Sequence, residues 1–172
     1  MKDSNVIPTM RPIQRADFET LAALAQQIWR EHYSTIISRE QIEYMLSGRF
    51  SATSLARYID SDVRWFDVLE VNGAFIGYCS YARTTEPREM KLEQLYLLPE
   101  LHGQGFGKFM LNHAEARAVA LGSESLMLQV NKRNEKALQV YRGSGFELRE
   151  EVVVDIGNGF VMDDFIMAKR LL

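Results

Sequence analysis

Residues 98–108, Leu-Pro-Glu-Leu-His-Gly-Gln-Gly-Phe-Gly-Lys, constrain this chain more than any other stretch. A β-type run over residues 92–98 ends at Pro99, and glycines at 103, 105 and 107 then open an amphipathic helix. Glycine adopts backbone angles closed to other residues, so such a loop can turn several N–H groups toward one point. The helix N-terminus adds the positive end of its dipole, which favours a phosphate. A phosphate-bearing cofactor is one explanation; a glycine-rich strand-to-helix turn without a ligand is the other.

Counting excludes two familiar phosphate loops. The pattern G-x-x-x-x-G-K-[ST] needs glycine at His102 and a hydroxyl at Phe109, and finds neither. The dinucleotide pattern G-x-G-x-x-G puts its last glycine at Lys108 when started at Gly103, or at Met110 when started at Gly105.

The rest of the chain supplies the frame. A short strand is expected over residues 9–14. Apolar residues then recur at helical spacing from Phe18 to Trp29, and Ser38 with Gln41 forms a capping box before a second helix. A short helix is expected over residues 54–59. The period then changes to that of strands, over residues 65–71 and 74–83, joined by Asn72-Gly73, the pair that favours a type I′ hairpin. A strand over 90–98, a helix over 107–121, a strand over 126–130 and a helix over 134–144 follow. Two last strands, 147–156 and 160–169, meet at Gly157-Asn158-Gly159. This order predicts one mixed α/β (α+β) domain over residues 1–172. Its sheet is mostly antiparallel and flanked by helices. The strand-loop-helix-strand unit makes the strands around 92 and 126 a parallel pair. Ligands of such sheets lie beyond strand carboxyl ends, which puts the glycine loop and residues 131–134 at one edge.

Composition narrows the function classes. With 47% hydrophobic residues in 172, the chain can bury a real core, and a net charge of −3 gives no footprint for nucleic acid. Cys79 is the one cysteine, which removes disulfides and CxxC motifs and reads as a small buried residue. His32, His102 and His113 have no metal-ligand spacing, so no metal is expected. Asp163 and Asp164 interrupt the most apolar C-terminal stretch, so no membrane span is expected. The opening Met-Lys-Asp-Ser-Asn lacks the apolar core of a signal peptide, and a cytoplasmic location follows as the default.

Two motifs carry a resemblance. His102-Gly103-Gln104-Gly105-Phe106-Gly107 is similar to [QR]-x-x-G-x-[GA], with His in place of Gln or Arg. Asn134, Ala137, Tyr141, Gly145 and Phe146 match N-x-x-A-x-x-x-Y-x-x-x-G-F. Together, over residues 9–170, they make the chain resemble the GNAT superfamily of acetyl-CoA-dependent N-acetyltransferases, and the expected fold is GNAT-like with the parallel pair at the cofactor site. The resemblance implies that acetyl-CoA is the acyl donor, its pyrophosphate held by residues 102–108, including Lys108, with Asn134 as a further polar contact. The pantetheine arm would pair with the backbone of Leu95, Tyr96 and Leu97, one of whose amides would hold the developing oxyanion.

By the same resemblance Tyr141 is the general acid that protonates the departing thiolate. A phenol of pKa about 10 can serve a thiol of about 8.5 where the site accepts the phenolate charge. Without the resemblance, Tyr141 reads first as a core tyrosine on the face shared with residues 134 and 138, and Asn134 as a plain helix cap. Glu93 is the candidate base, on the strand side of Leu95 and Leu97; Glu89 shares that side at greater distance from the thioester, Lys91 stands between them, and a water chain is the alternative. Trp29, His32, Tyr33, Tyr44 and Met45 are candidates for an acceptor pocket of the polyamine or small-amine type, or else core. The implied acceptor is a small-molecule amine, a peptide N-terminus or a lysine. A homodimer is one implied assembly, dimers being common in the superfamily. A CoA-binding regulatory or sensor module without catalysis is the alternative function.

Overall fold

The computed structural model describes residues 7–172; residues 1–5, which carry the expectation about a signal peptide, lie outside them. The elements are β1 (Thr9–Pro12), α1 (Phe18–His32), α2 (Arg39–Arg49), α3 (Ala52–Ala56), β2 (Arg64–Val71), β3 (Ala74–Arg83), β4 (Glu89–Leu97), α4 (Phe106–Ala120), β5 (Ser125–Asn131), α5 (Glu135–Gly143), β6 (Glu147–Gly157) and β7 (Phe160–Arg170). The seven strands follow the order β1-β2-β3-β4-β5-β7-β6, with β4 and β5 parallel, and the β5–β7 and β7–β6 pairs antiparallel. The expected mixed sheet with one parallel pair is present.

By contacts the chain forms two compact units: residues 7–81 with 94–114, and residues 82–93 with 115–172. β4 and α4 each run through both.

In the first unit, α1 buries Leu21, Leu24, Ala25, Ile28 and Trp29, the face its apolar spacing predicts. Ser38 caps α2 by accepting from the Gln41 amide at 3.1 Å. α3 begins earlier than expected because Ser51 takes the capping role, accepting from the Ser54 amide at 3.2 Å. Single turn bonds from Tyr58 and Ile59 then carry the chain on to residue 59. At the β2–β3 hairpin, Asn72 and Gly73 both have positive φ (50° and 80°), as a type I′ turn requires. Leu69, Ile76, Leu97 and Met110 form a buried cluster, with Leu95, Leu98, Leu101 and Phe106 packed against it.

In the second unit, the β4–β5 register pairs residues 89–92 with 125–128, while β4 itself continues to Leu97. Leu126, Leu128, Leu138, Phe146 and Met167 are buried there. Among the described residues no helix is long and apolar enough to cross a membrane.

Candidate active site

The first unit holds the strand–loop–helix. Leu95 and Leu97 join the cluster around Met110, while Gln94 and Tyr96 face the other way. Gln94 donates to Ser80 Oγ at 3.1 Å, and the Tyr96 and Tyr33 hydroxyls lie 2.6 Å apart. After β4, a 3-10 turn over Pro99–Leu101 leads into the glycine loop. His102 through Gly105 are exposed, and Gly103 and Gly105 have φ of +77° and +89°, angles that L side chains resist. A Cβ built at Gly103, Gly105 or Gly107 meets no atom within 4 Å. The loop is therefore an open cradle at the start of a 15-residue helix, the end whose dipole favours an anion. His102 folds its ring back, Nε2 lying 3.2 Å from the Leu97 carbonyl, so this residue ties the loop to the strand end. Gln104 makes a long bond to the Glu100 carbonyl, Phe106 is half-buried in the cluster, and Lys108 is exposed.

The second unit holds Asn134, Tyr141 and Glu93. Asn134 caps α5, its Oδ1 accepting from the Ala137 amide at 3.3 Å. The buried face of α5 carries Asn134 and Leu138, with Tyr141 half-buried one turn on, as the spacing predicts. The Tyr141 ring meets Phe146 edge-on at 5.6 Å, and its carbonyl accepts from the Phe146 amide, which closes the helix end. Glu93 is half-buried on β4. Glu89 is held in place: its Oε2 accepts from Arg149 at 2.6 Å, and the pairing raises the Arg149 pKa. Lys91 donates to Gln129 Oε1 at 2.6 Å.

Of the acceptor-pocket candidates, Trp29, Tyr33 and Met45 are core residues. The Trp29 indole donates to the buried Tyr78 hydroxyl at 2.9 Å, and burial drives the Tyr78 pKa well up. His32 is half-buried and Tyr44 exposed.

Two groups carry no signal at the sequence level. Gly77 of β3 lies so close to β4 that an added Cβ would sit 2.7 Å from the Tyr96 carbonyl oxygen and 3.0 Å from Met110 Sδ. Asp67 of β2 is buried, and one of its oxygens accepts from both Tyr81 Oη and His113 Nε2 at 2.7 Å. A carboxylate only accepts, so this contact puts a proton on Nε2 of His113. Cys79 is fully buried; desolvation, with the Asp67 charge adding to it, holds its thiol pKa well above the ordinary value. It is a poor thiolate nucleophile. Among the described residues no group of three or more His, Cys, Asp or Glu side chains is placed to hold a metal ion.

The sequence model of the acetyltransferase (GNAT) family matches residues 18–146. The chain belongs to that family. It is an N-acetyltransferase. An uncharacterized N-acetyltransferase of Mycobacterium bovis is 26% identical over 156 residues, covering 91% of this chain and 99% of that one. The spermidine N(1)-acetyltransferase of Thermoplasma acidophilum is 28% identical over 159 residues, covering 90% and 94%. Among solved structures, the PaiA N-acetyltransferase of Thermoplasma acidophilum in complex with coenzyme A superposes with a TM-score of 0.82 at 25% identity, over 95% of this chain and 99% of that one. A GCN5-related N-acetyltransferase from Rhodopseudomonas palustris shares the fold, with a TM-score of 0.78 at 21% identity over 95% of each chain.

Proposed function

We propose that this N-acetyltransferase moves the acetyl group of acetyl-CoA to a primary amine of a small molecule or peptide, by direct attack of the amine in a ternary complex. The observation that carries the reading is the open glycine cradle, Gly103 and Gly105 at positive φ, between the end of β4 and the start of α4. The coenzyme A bound by the PaiA relative and the polyamine named for the archaeal relative support donor and acceptor class. The buried, poorly ionised Cys79 supports direct attack over an acyl-enzyme on sulfur. The family match spans parts of both compact units, which supports one catalytic domain built from the whole chain.

In this reading residues 102–108 hold the pyrophosphate, assisted by Asn134, and the backbone of Leu95, Tyr96 and Leu97 receives the acyl arm. The amine nitrogen forms a bond to the thioester carbon as the C–S bond breaks; Tyr141 gives its proton to the departing sulfur, and Glu93 takes the proton the amine loses. Glu89 is the weaker base candidate, because it lies further along β4 from Leu95–Leu97, where this reading puts the thioester.

The test is a melting curve with acetyl-CoA followed by a thiol-release assay with amines. Binding linkage raises Tm by an amount set by the excess of ligand over Kd. A Tm that saturating acetyl-CoA leaves unmoved removes the donor assignment. A raised Tm with no thiol released from any amine favours the sensor alternative.

A further inference from the structure

In the sequence, Asp163 and Asp164 are charges that break an apolar run. Strand alternation separates them in β7. Asp163 is exposed and pairs with Lys132 at 2.7 Å. Asp164 is 6% exposed, and its Oδ1 is buried without a hydrogen-bond partner. A carboxyl oxygen taken from water without a compensating donor is costly, and native chains keep few such groups without a reason.

The surroundings belong to the second unit. The antiparallel register sets Asp164 opposite Asn131 of β5 and Val152 of β6. Asn131 is buried; its Oδ1 accepts from the Arg133 amide and its carbonyl from the Asn134 amide, both at 2.9 Å. The Asp164–Asn131 pair therefore sits at the carboxyl end of β5, in the turn that starts the Tyr141 helix. Two strand positions back, Gln129 takes the Lys91 ammonium. The other nearby cation, Lys132, is bonded to Asp163 and to Glu151. Neither lysine reaches Asp164 Oδ1. Burial raises the Asp164 pKa, Asp163 raises it further, and the charges of Lys91 and Lys132 oppose both.

We propose that Asp164 is the carboxylate that receives the cationic end of the acceptor amine, with Asn131 as its polar neighbour. The proposal rests on the amine-transfer reading above. An alkylammonium brings the N–H donor that the buried oxygen lacks, together with a positive charge, and turns an unpartnered buried oxygen into a charge-assisted hydrogen bond. A residue kept for binding at the expense of the free protein leaves a signature: removing its charge costs affinity for the amine and no stability.

The experiment measures acetyl-CoA-dependent thiol release with spermidine, putrescine, kanamycin and glycinamide, for the wild type, Asp164→Asn and Asp164→Ser. For whichever of spermidine, putrescine and kanamycin the wild type uses best, either substitution is expected to raise KM for the amine tenfold or more. Glycinamide, which has no second cationic nitrogen, is the control whose KM stays within twofold. KM for acetyl-CoA stays within twofold, and Tm at neutral pH is no lower than that of the wild type. Asp164→Ser removes the charge without adding bulk and serves if the amide variant does not fold. An unchanged amine KM overturns the proposal, as does a lower Tm with both KM values shifted together, the mark of a structural residue. A wild type that releases no thiol with any of the four amines, though acetyl-CoA raises its Tm, overturns the amine-transfer reading instead.

Discussion

Gly77 and Tyr96 lie against each other across neighbouring strands, so that any Cβ on Gly77 would come within 2.7 Å of the Tyr96 carbonyl oxygen. The obstacle is backbone, which cannot swing aside as a side chain can. Gly77→Ala is expected to push β4 outward and to cost about 1–3 kcal/mol, the usual range for overpacking. In a chain of this length each kcal/mol lowers Tm by roughly 2–4 °C, which a melting curve detects. A Tm equal to the wild type's would show that β4 yields without strain.

The buried carboxylate of Asp67 ties β2 to β3 through Tyr81 and to α4 through His113. Tyr81→Phe removes one donor and leaves the other. Hydrogen bonds to a charged group contribute about 1.5–3 kcal/mol, and denaturant unfolding of the variant should show a loss in that range. A neutral result would mean that His113 alone satisfies the carboxylate.

Two aspartates are expected to give opposite pH signatures. The Arg11 hydrogen bond is the main cause of the lowered Asp17 pKa, and Asp17 also accepts from the Gln14 amide at 2.8 Å. Its folded-state pKa lies below the unfolded value, so its stabilisation is present at neutral pH and fades as pH falls through the folded value. Asp164 is raised by burial, so the unfolded chain ionises first and stability falls as pH rises through that window. Asp164→Asn should therefore melt above the wild type at pH 7, with the gap closing toward pH 3; Asp17→Asn should melt below it at pH 7 and converge at low pH. Melting curves across that range decide both signs.

The glycine cradle yields a test in which stability and binding part. Gly105 has φ of +89°, so Gly105→Val is strained as well as obstructive. Gly107 lies inside the first turn of α4 with open space around its Cβ position, and Gly107→Ala should leave the fold intact or add about 0.5–1 kcal/mol of helix propensity. If that open space is where the pyrophosphate lies, Gly107→Ala loses acetyl-CoA affinity while keeping or raising Tm. Undiminished affinity by calorimetry would move the ligand away from this turn.

Tyr141→Phe keeps the ring contact with Phe146 and removes only the hydroxyl. As the general acid of the proposed reaction, its loss should lower kcat by about 10²–10⁴ with acetyl-CoA affinity nearly unchanged. Unaltered turnover would return Tyr141 to a packing role.

The order of elements, the parallel pair and the position of the cradle were legible in the sequence because each rests on short-range chemistry. Glycines at alternate positions, Ser38 and Asn134 as caps, and Asn72-Gly73 as a turn act within a few residues of themselves. Periodicity was less informative about roles: Trp29, Tyr33 and Met45 share helical spacing with acceptor-pocket candidates, yet burial makes them core.

What the sequence alone determined is the glycine-rich strand–loop–helix and the helix that carries Tyr141, since positive φ and capping are local demands that few residues meet. Only the tertiary structure decided that Gly77 must have no side chain, that Asp67 joins Tyr81 to His113, and that Asp164 is buried without a donor. Those facts depend on groups 14 to 46 residues apart in the chain, or on which face of a strand another strand or helix covers. Packing creates them, and no local pattern encodes them.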